Sequence, residues 1–268
     1  MVEIRVGVTG CGGRMGRMLV AAVHTADGCR LAGGSEAPGS ALLGRDIGEL
    51  AGIGKVGLAA IADAGALFAA SDVIIDFTSP AAAVIHAGLV AEHGRALVIG
   101  TTGLDATQTA ALEAAAKRAP ILWAPNMSPA VTMLLGLVEE AARRLGPDYD
   151  IEIVEMHHRH KVDAPSGTAL ALGRAAAKGR GIDLAAHSQR VRDGHTGPRK
   201  SGDIGFASLR GGDVVGDHTV VLAGDGERLE LTHRASGRHI FVGGAIKGAR
   251  WLVGRSPGLY GMRDMLGL

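Results

Sequence analysis

Residues 155–168 read EMHHRHKVDAPSGT, the densest run of ionisable chemistry in the chain. Five consecutive side chains can carry positive charge, His157, His158, Arg159, His160 and Lys161, and Asp163 follows. Ala164-Pro165-Ser166-Gly167-Thr168 then leads into ALALGRAAAKGR, whose alanine and leucine content gives it strong helix propensity. Pro165 stops the preceding element, and Ser166 is a good helix N-cap. The amides of Gly167 and Thr168 lie in the first turn, where a helix has no internal acceptors, so they make an anion site of backbone beside a cationic loop. Such a site suits a small molecule with one or more carboxylates.

Spacing then dictates local structure. DIEIVEM (150–156) alternates and is β-branched, so it reads as a strand. If the strand ran on straight, His157 and Lys161 would face the same way but stand roughly 13 Å apart at about 3.3 Å per residue. No small substrate touches both unless the chain turns, so 158–165 is expected to be a loop. The plainer alternative, a solvated basic turn, fits poorly, because three histidines and a lysine beside a Pro-Ser-Gly-Thr helix start are not a usual surface composition. A zinc site on His157, His158 and His160 is also disfavoured. Metal-site histidines usually sit at i, i+4 on a helix or on separated loops, and no carboxylate or thiolate partner is evident. No metal is expected.

The whole chain constrains what can hold this loop. Its 268 residues suffice for one large or two modest domains. Hydrophobic content is 47% but aromatic content only 3%, so the core must be aliphatic. The 42 glycines, about twice the usual share, imply many tight turns. A net charge of +1 argues against a nucleic-acid binder held by bulk charge. Cys11 and Cys29 do not suggest a disulfide framework, so a reducing cytoplasm fits. No apolar run reaches membrane-spanning length, and the chain enters a strand with no basic leader.

In chain order, EIRVGVT (3–9) is a strand, GCGGRMG a glycine-rich turn, and Arg14 to about His24 a helix. Strand, glycine turn and helix are the context in which such a turn holds a dinucleotide pyrophosphate. The glycine frame is G-x-x-G-x-x-G through Gly10, Gly13 and Gly16, since Met15 stands where a stricter pattern has glycine. A strand at 29–35 ends at Glu36, where a Rossmann domain places the acid that holds the adenosine ribose. Residues 37–71 show no clear pattern. Strands at 72–77, 95–99 and 120–124 alternate with helices ending near His93 and 118, which argues for an open parallel sheet. Ligands sit at the C-terminal ends of such strands, so Phe77, Thr78, Gly100, Thr102, Ala124 and Asn126 are expected to line a cofactor groove.

Ser128-Pro129 opens a long helix at 129–145. Beyond it, the strand 150–156, the helix 167–178, an exposed polar stretch at 188–203 and strands at 204–209, 214–223 and 227–233 read as a mixed sheet. Helices cover one face of this sheet, and the other is apolar enough to meet a neighbouring subunit. The final helix, 238–252, is expected to return to the first domain. The expected fold is therefore α/β. A discontinuous, Rossmann-like parallel-sheet nucleotide domain (1–128 and 239–268) accompanies an α+β domain (129–238) that binds substrate and forms the oligomer. Arg238 stands at the return and is a candidate to face the substrate cleft.

VGVTGCGGRMGRM, IDFTSP, VIGTTG, APNMS and above all EMHHRHKVDAPSGTAL resemble the dihydrodipicolinate reductase family, and the similarity runs on through GERLELTHRASGR to MRDML. The resemblance implies hydride transfer from NADH or NADPH to a small cyclic dicarboxylate, giving tetrahydrodipicolinate for diaminopimelate and lysine. It implies His157 as general acid/base and Lys161 as proton donor. His158, Ser166, Gly167 and Thr168 would hold the substrate carboxylates, with Arg238. The nucleotide contacts would be Gly10, Cys11, Gly12, Gly13, Arg14, Met15, Glu36, Gly100, Thr101, Thr102, Ala124, Pro125, Asn126 and Met127. A homotetramer built on the second domain's sheet is implied too. One departure bears on cofactor choice. Many members carry a basic residue after the acid of the second strand, but here Ala37 and Pro38 follow Glu36, so NADH should serve at least as well as NADPH, although Arg14 could reach a 2′-phosphate.

Two rival classes are weaker. An aspartate-semialdehyde type of dehydrogenase needs a catalytic cysteine, and neither Cys11 nor Cys29 is placed for that. A non-enzymatic dinucleotide sensor would leave the cationic loop without purpose.

Overall fold

The structure is a computed structural model that describes residues 3–268. The chain divides into two compact units, Met1–Ser128 with His239–Leu268, and Pro129–Arg238.

In the first unit, β1 (Ile4–Thr9) leads through the glycine turn into α1 (Arg14–Thr25), then β2 (Cys29–Ser35). The stretch that showed no pattern contains α2 (Ile47–Ala51), β3 (Ala60–Ile61) and α3 (Ala64–Ala70). One side chain organises much of it. The Asp46 carboxylate caps α2 by accepting from the Gly48 amide, and it also accepts from the amides of Val56 and Gly57. Elements β4 (Val73–Asp76), α4 (Pro80–His93), β5 (Ala96–Ile99), α5 (Ala106–Ala116) and β6 (Pro120–Trp123) follow. Their boundaries follow local chemistry. Ser79 caps α4 with Pro80 in its first turn, Gly94 closes it in the left-handed region, and an Asp105–Gln108 capping box starts α5.

The second unit opens with α6 (Pro129–Leu145) and β7 (Asp150–His157). It continues with α7 (Gly167–Arg180), α8 (Leu184–His187), β8 (Ser188–Gln189), β9 (Ile204–Arg210), β10 (Gly216–Gly224) and β11 (Glu227–Ala235). Its five strands lie in the order β11-β10-β7-β9-β8. β10 runs antiparallel to β7 and β11, while β7, β9 and β8 run parallel, so the sheet is mixed. Alternation along β7 sends Ile151 and Ile153 into a core shared with Leu134, Val138, Leu172, Ala176, Val220 and Leu222, and α6 and α7 cover that face. The opposite face carries Val154, Met156, Val221 and the half-exposed Leu209, but also Glu152, Asp217, Arg228 and Glu230. It is more mixed than the sequence suggested.

The chain then returns to the first unit as α9 (His239–Leu252), β12 (Gly258–Tyr260) and α10 (Met262–Leu266). Strand β12, too short to be read from sequence, pairs with β6 and completes a seven-stranded parallel sheet in the order β12-β6-β5-β4-β1-β2-β3. Both faces are buried. Val73, Ile75 and Val98 point to the side of α1 and α9, and Ile74, Leu97 and Ile99 to the side of α3, α4 and α5. The crossover from β1 to β2 on one side and to β4 on the other leaves the C-terminal end of β1 beside the glycine turn, where doubly wound sheets bind ligands.

Candidate active site

The glycine turn is built by close approach. Gly10 adopts φ +62°, a conformation that favours glycine. A Cβ on Gly16 would overlap the Gly10 carbonyl oxygen, so the helix can begin against the turn only with hydrogen at that position. The three frame glycines thus have distinct roles, since Gly13 is the N-cap of α1. No side chain caps that helix, which leaves its first amides, from Arg14, Met15 and Gly16, to an anion. The Gly12 amide donates to Glu36 Oε1 at 2.6 Å, tying the acid after β2 to the turn. Cys11 is buried, its amide donates to the Ser35 carbonyl, and burial beside Glu36 pushes its thiol up to about 11. Only its backbone shapes the turn, and the thiol is no nucleophile.

A cavity of about 540 Å³ opens beside this turn, lined by Gly10, Gly13, Glu36, Ala37, Pro38, Phe77, Thr78, Ile85 and His86 among others. Of these, Ala37 and Pro38 entered the sequence reading only as the departure after Glu36. Ile85 and His86 had no motif to mark them, because α4 brings them in from its side. Gly100 has no room for a side chain because the Phe77 ring lies against it. Fully buried Asp76 orders the strand ends. It accepts from the Thr78 hydroxyl at 2.7 Å, the Thr78 amide at 2.8 Å and the Thr101 hydroxyl at 3.1 Å, and it pairs with His86. The Thr101 hydroxyl also accepts from the Thr78 amide, so that side chain is engaged inside the protein. The Met127 side chain lies in the core. Ala124 is buried as well, Thr102 and Pro125 are exposed, and Asn126 Oδ1 accepts from the Ser128 amide.

In the second unit, β7 runs one residue further than expected and carries His157 at its end. The chain then turns. Gly211 N–H donates to the His157 carbonyl, Arg159 N–H to the Gly212 carbonyl, and Lys161 N–H to the His158 carbonyl. The turn required by the spacing argument is therefore present. Lys161 Nζ pairs with Asp163 Oδ1 at 2.7 Å, and that ammonium, set against burial, holds the Asp163 carboxyl below its usual range. His158 lines an open cavity of about 730 Å³ with Arg159, His160, Gly212 and Asp213. His158 Nδ1 is buried without a hydrogen-bond partner, a polar atom suited to a ligand.

Beneath the loop lies a carboxylate that pattern reading missed. Glu155 is 1% exposed. Its Oε2 accepts from His157 Nδ1 at 2.6 Å, and Arg210 grips both oxygens at 2.8 and 2.9 Å. Burial alone would raise this carboxyl, but the hydrogen bonds from Arg210, His157 and Ser208 outweigh it and hold it at about 2. Glu155 Oε1 also accepts from the Ser166 amide, and Arg210 donates to the Asp163 carbonyl, so one ion pair fixes the strand, the loop and the start of α7. Ser166 caps α7 by accepting the Ala169 amide at 3.1 Å, and its oxygen lies 3.0 Å from His218 Nε2. Its hydroxyl is buried and already engaged within the protein, and it places the turn. Burial and the neighbouring His157 lower His218 to about 4. Arg238 is exposed. It follows β11, whose last residue, Ala235, pairs with Gly216 at the end of the sheet that bears His157. Among the described residues no group of three or more His, Cys, Asp or Glu could hold a metal ion.

Known proteins align with this arrangement along the whole chain. Residues 4–127 match the family described as "Dihydrodipicolinate reductase, N-terminus", and 130–266 match "Dihydrodipicolinate reductase, C-terminus". The chain belongs to the dihydrodipicolinate reductase family. Among relatives, it is 54% identical to a 4-hydroxy-tetrahydrodipicolinate reductase of Afipia carboxidovorans over 100% of this chain and 98% of the relative. It is 56% identical to one from Brucella abortus over 97% of this chain and 98% of the relative. In fold it is similar to a dipicolinate-bound dihydrodipicolinate reductase from Paenisporosarcina sp., with TM-score 0.77 and 23% identity over 98% and 99% of the two chains. The junction between the family's two halves falls at the Ser128/Pro129 boundary of the compact units, while the C-terminal half runs on through 239–266 of the first unit.

Proposed function

We propose that the chain converts 4-hydroxy-tetrahydrodipicolinate to tetrahydrodipicolinate, the 4-hydroxyl leaving as water and the resulting unsaturated ring being reduced at the expense of NADH or NADPH, in the synthesis of diaminopimelate and lysine. The observation that carries this reading is the Glu155–His157 pair beside the Ser166-capped turn, inside the motif that aligns with the family. The nucleotide fits the first unit. The uncapped start of α1 would take the pyrophosphate, Glu36 would lie by the adenosine ribose, and the cavity at Ala37, Pro38 and Ile85 would take the base. When bound, the dihydronicotinamide supplies the hydride.

The chain's own residues manage charge. The carboxylates of the substrate are met by His158 and the amides of Gly167 and Thr168, with Arg238 as a further cation. Hydride addition leaves negative charge on the substrate, which a positioned acid must neutralise. Lys161 Nζ donates that proton, and His157 Nε2, the ring nitrogen not committed to Glu155, exchanges protons as acid/base. Glu155 stabilises the imidazolium that results.

Free Cys11 and Cys29 suit a cytoplasmic enzyme. The apolar residues of the uncovered sheet face suit pairing with a second copy in a homotetramer, so a monomer by light scattering at micromolar concentration would count against it. The activity is tested by oxidation of NADH and NADPH on substrate freshly formed from pyruvate and aspartate semialdehyde. Lys161→Ala should lose a hundredfold or more, which corresponds to about 2.7 kcal/mol of transition-state stabilisation. No turnover by a folded, NADH-binding protein would favour the sensor.

A further inference from the structure

One residue under the anion turn has no part in the chemistry above, yet it touches both halves of the site. Across the helix-covered face of the second sheet, Ser208, Glu155, His218 and His233 stand opposite one another in a single row over β9, β7, β10 and β11. His218 is 4% exposed. Its ring meets the His157 ring edge-on at 5.2 Å between centroids, and its Nε2 lies 3.0 Å from Ser166 Oγ. With His218 in its Nδ1–H tautomer, Nε2 accepts the Ser166 proton while Ser166 Oγ accepts the Ala169 amide. Gly216, on the same face of β10, keeps the space between the two rings clear. A methyl there would stand 3.0 Å from His157 Nε2 and 3.6 Å from His218 Cε1. The backbone at Gly216 does not demand glycine, since its φ is not among the positive ones, so the requirement is for space.

We propose that His218 is a positioning residue. Its hydrogen bond from Ser166 and its edge contact with His157 lock the carboxylate-binding turn in register with the acid/base imidazole. The proposal rests on the reading of Gly167 and Thr168 as the carboxylate turn. It concerns substrate geometry, so it should appear in substrate KM and in the inhibition constant of dipicolinate, with NADH affinity unmoved.

The experiment compares His218→Asn with His218→Gln in the full-length protein. Glutamine sets its carbonyl oxygen near the Nε2 position and can accept from Ser166, whereas asparagine falls short. His218→Asn should raise substrate KM and the dipicolinate inhibition constant tenfold or more. His218→Gln should restore both to within about threefold, and the Kd for NADH should be the same in all three proteins. Equal losses in the two variants, or no loss in either, would overturn the proposal, because a role in packing alone is not rescued by the acceptor's position. Gly167→Pro, which removes one of the amide donors at the first position of α7, where proline is tolerated and a Cβ meets nothing, separates the two levels. If it leaves dipicolinate inhibition untouched, the reading of the turn fails; if it weakens inhibition while His218→Asn does not, only the role of His218 fails.

Discussion

Glu155 Oε2 and His157 Nδ1 lie 2.6 Å apart, with the carboxylate clamped from its other side by Arg210. The pair sits at i and i+2 on one face of β7, the spacing at which a strand brings side chains to the same side. It fixes the imidazole's orientation and leaves Nε2 as the nitrogen not committed to Glu155. Glu155→Gln keeps the shape but removes the charge that supports the imidazolium. The expected outcome is a fall in kcat of tenfold or more with a smaller change in substrate KM, on the scale of one charge-assisted hydrogen bond, ~1.5–3 kcal/mol. Steady-state kinetics decide it, and an unchanged kcat would remove Glu155 from the acid/base machinery.

The same layer sets acid stability. Glu155 is held at about 2 against an ordinary 4.5, so its contribution is complete above pH 4.5 and is lost as pH falls toward 2. His218 is lowered from 6.5 to about 4, so the folded state resists protonating it. Its contribution is complete above pH 6.5 and is lost as pH falls from 6.5 to 4. Hydrogen exchange of the β7 amides should therefore speed up between pH 6.5 and 4, after correction for intrinsic rates, and this step should vanish in His218→Gln.

The parts of this protein that are legible in sequence are those whose signal is local. The glycine frame, the cap at Ser166 and the length of α6 each lie in a short window and appeared where expected. The reductase motif was legible because its chemistry is contiguous. What escaped was made by long-range pairing. Arg210 lies on β9 and His218 on β10, and only the sheet register sets them beside Glu155. Glu155 itself was within the quoted motif, but on a strand an acid between apolar residues reads as solvent-facing until an arginine on a neighbouring strand is known to answer it. Ile85 and His86 reach the nucleotide cavity because α4 packs there. β12 was invisible because three residues carry no periodicity.

Gly16 offers a test of the nucleotide turn that does not touch the second unit's chemistry. A Cβ at this position overlaps the Gly10 carbonyl and the Cys11 Cα, both backbone, so nothing flexible can yield. Gly16→Ala should displace the start of α1 and weaken NADH binding tenfold or more by fluorescence titration. Gly88→Ala, in α4 with open space at its Cβ, should leave binding unchanged. Equal affinity in wild type and Gly16→Ala would mean that the turn does not hold the pyrophosphate.

Cofactor choice turns on what faces the 2′ position of the adenosine ribose. Glu36 Oε1 is held by the Gly12 amide at the cavity wall, and Ala37 and Pro38 continue that wall without a cation. A carboxylate there accepts from ribose hydroxyls but repels a phosphate, and Arg14, exposed at the start of α1, is the compensating charge offered by the glycine turn. The expected result is a kcat/KM for NADH at least equal to that for NADPH. Ala37→Arg should shift the ratio toward NADPH by about tenfold, or about 1.4 kcal/mol, chiefly through KM because the added cation binds ground and transition states alike. A wild-type preference for NADPH above tenfold would show that another cation, Arg14 first, answers the phosphate, and Arg14→Ala would then abolish the preference.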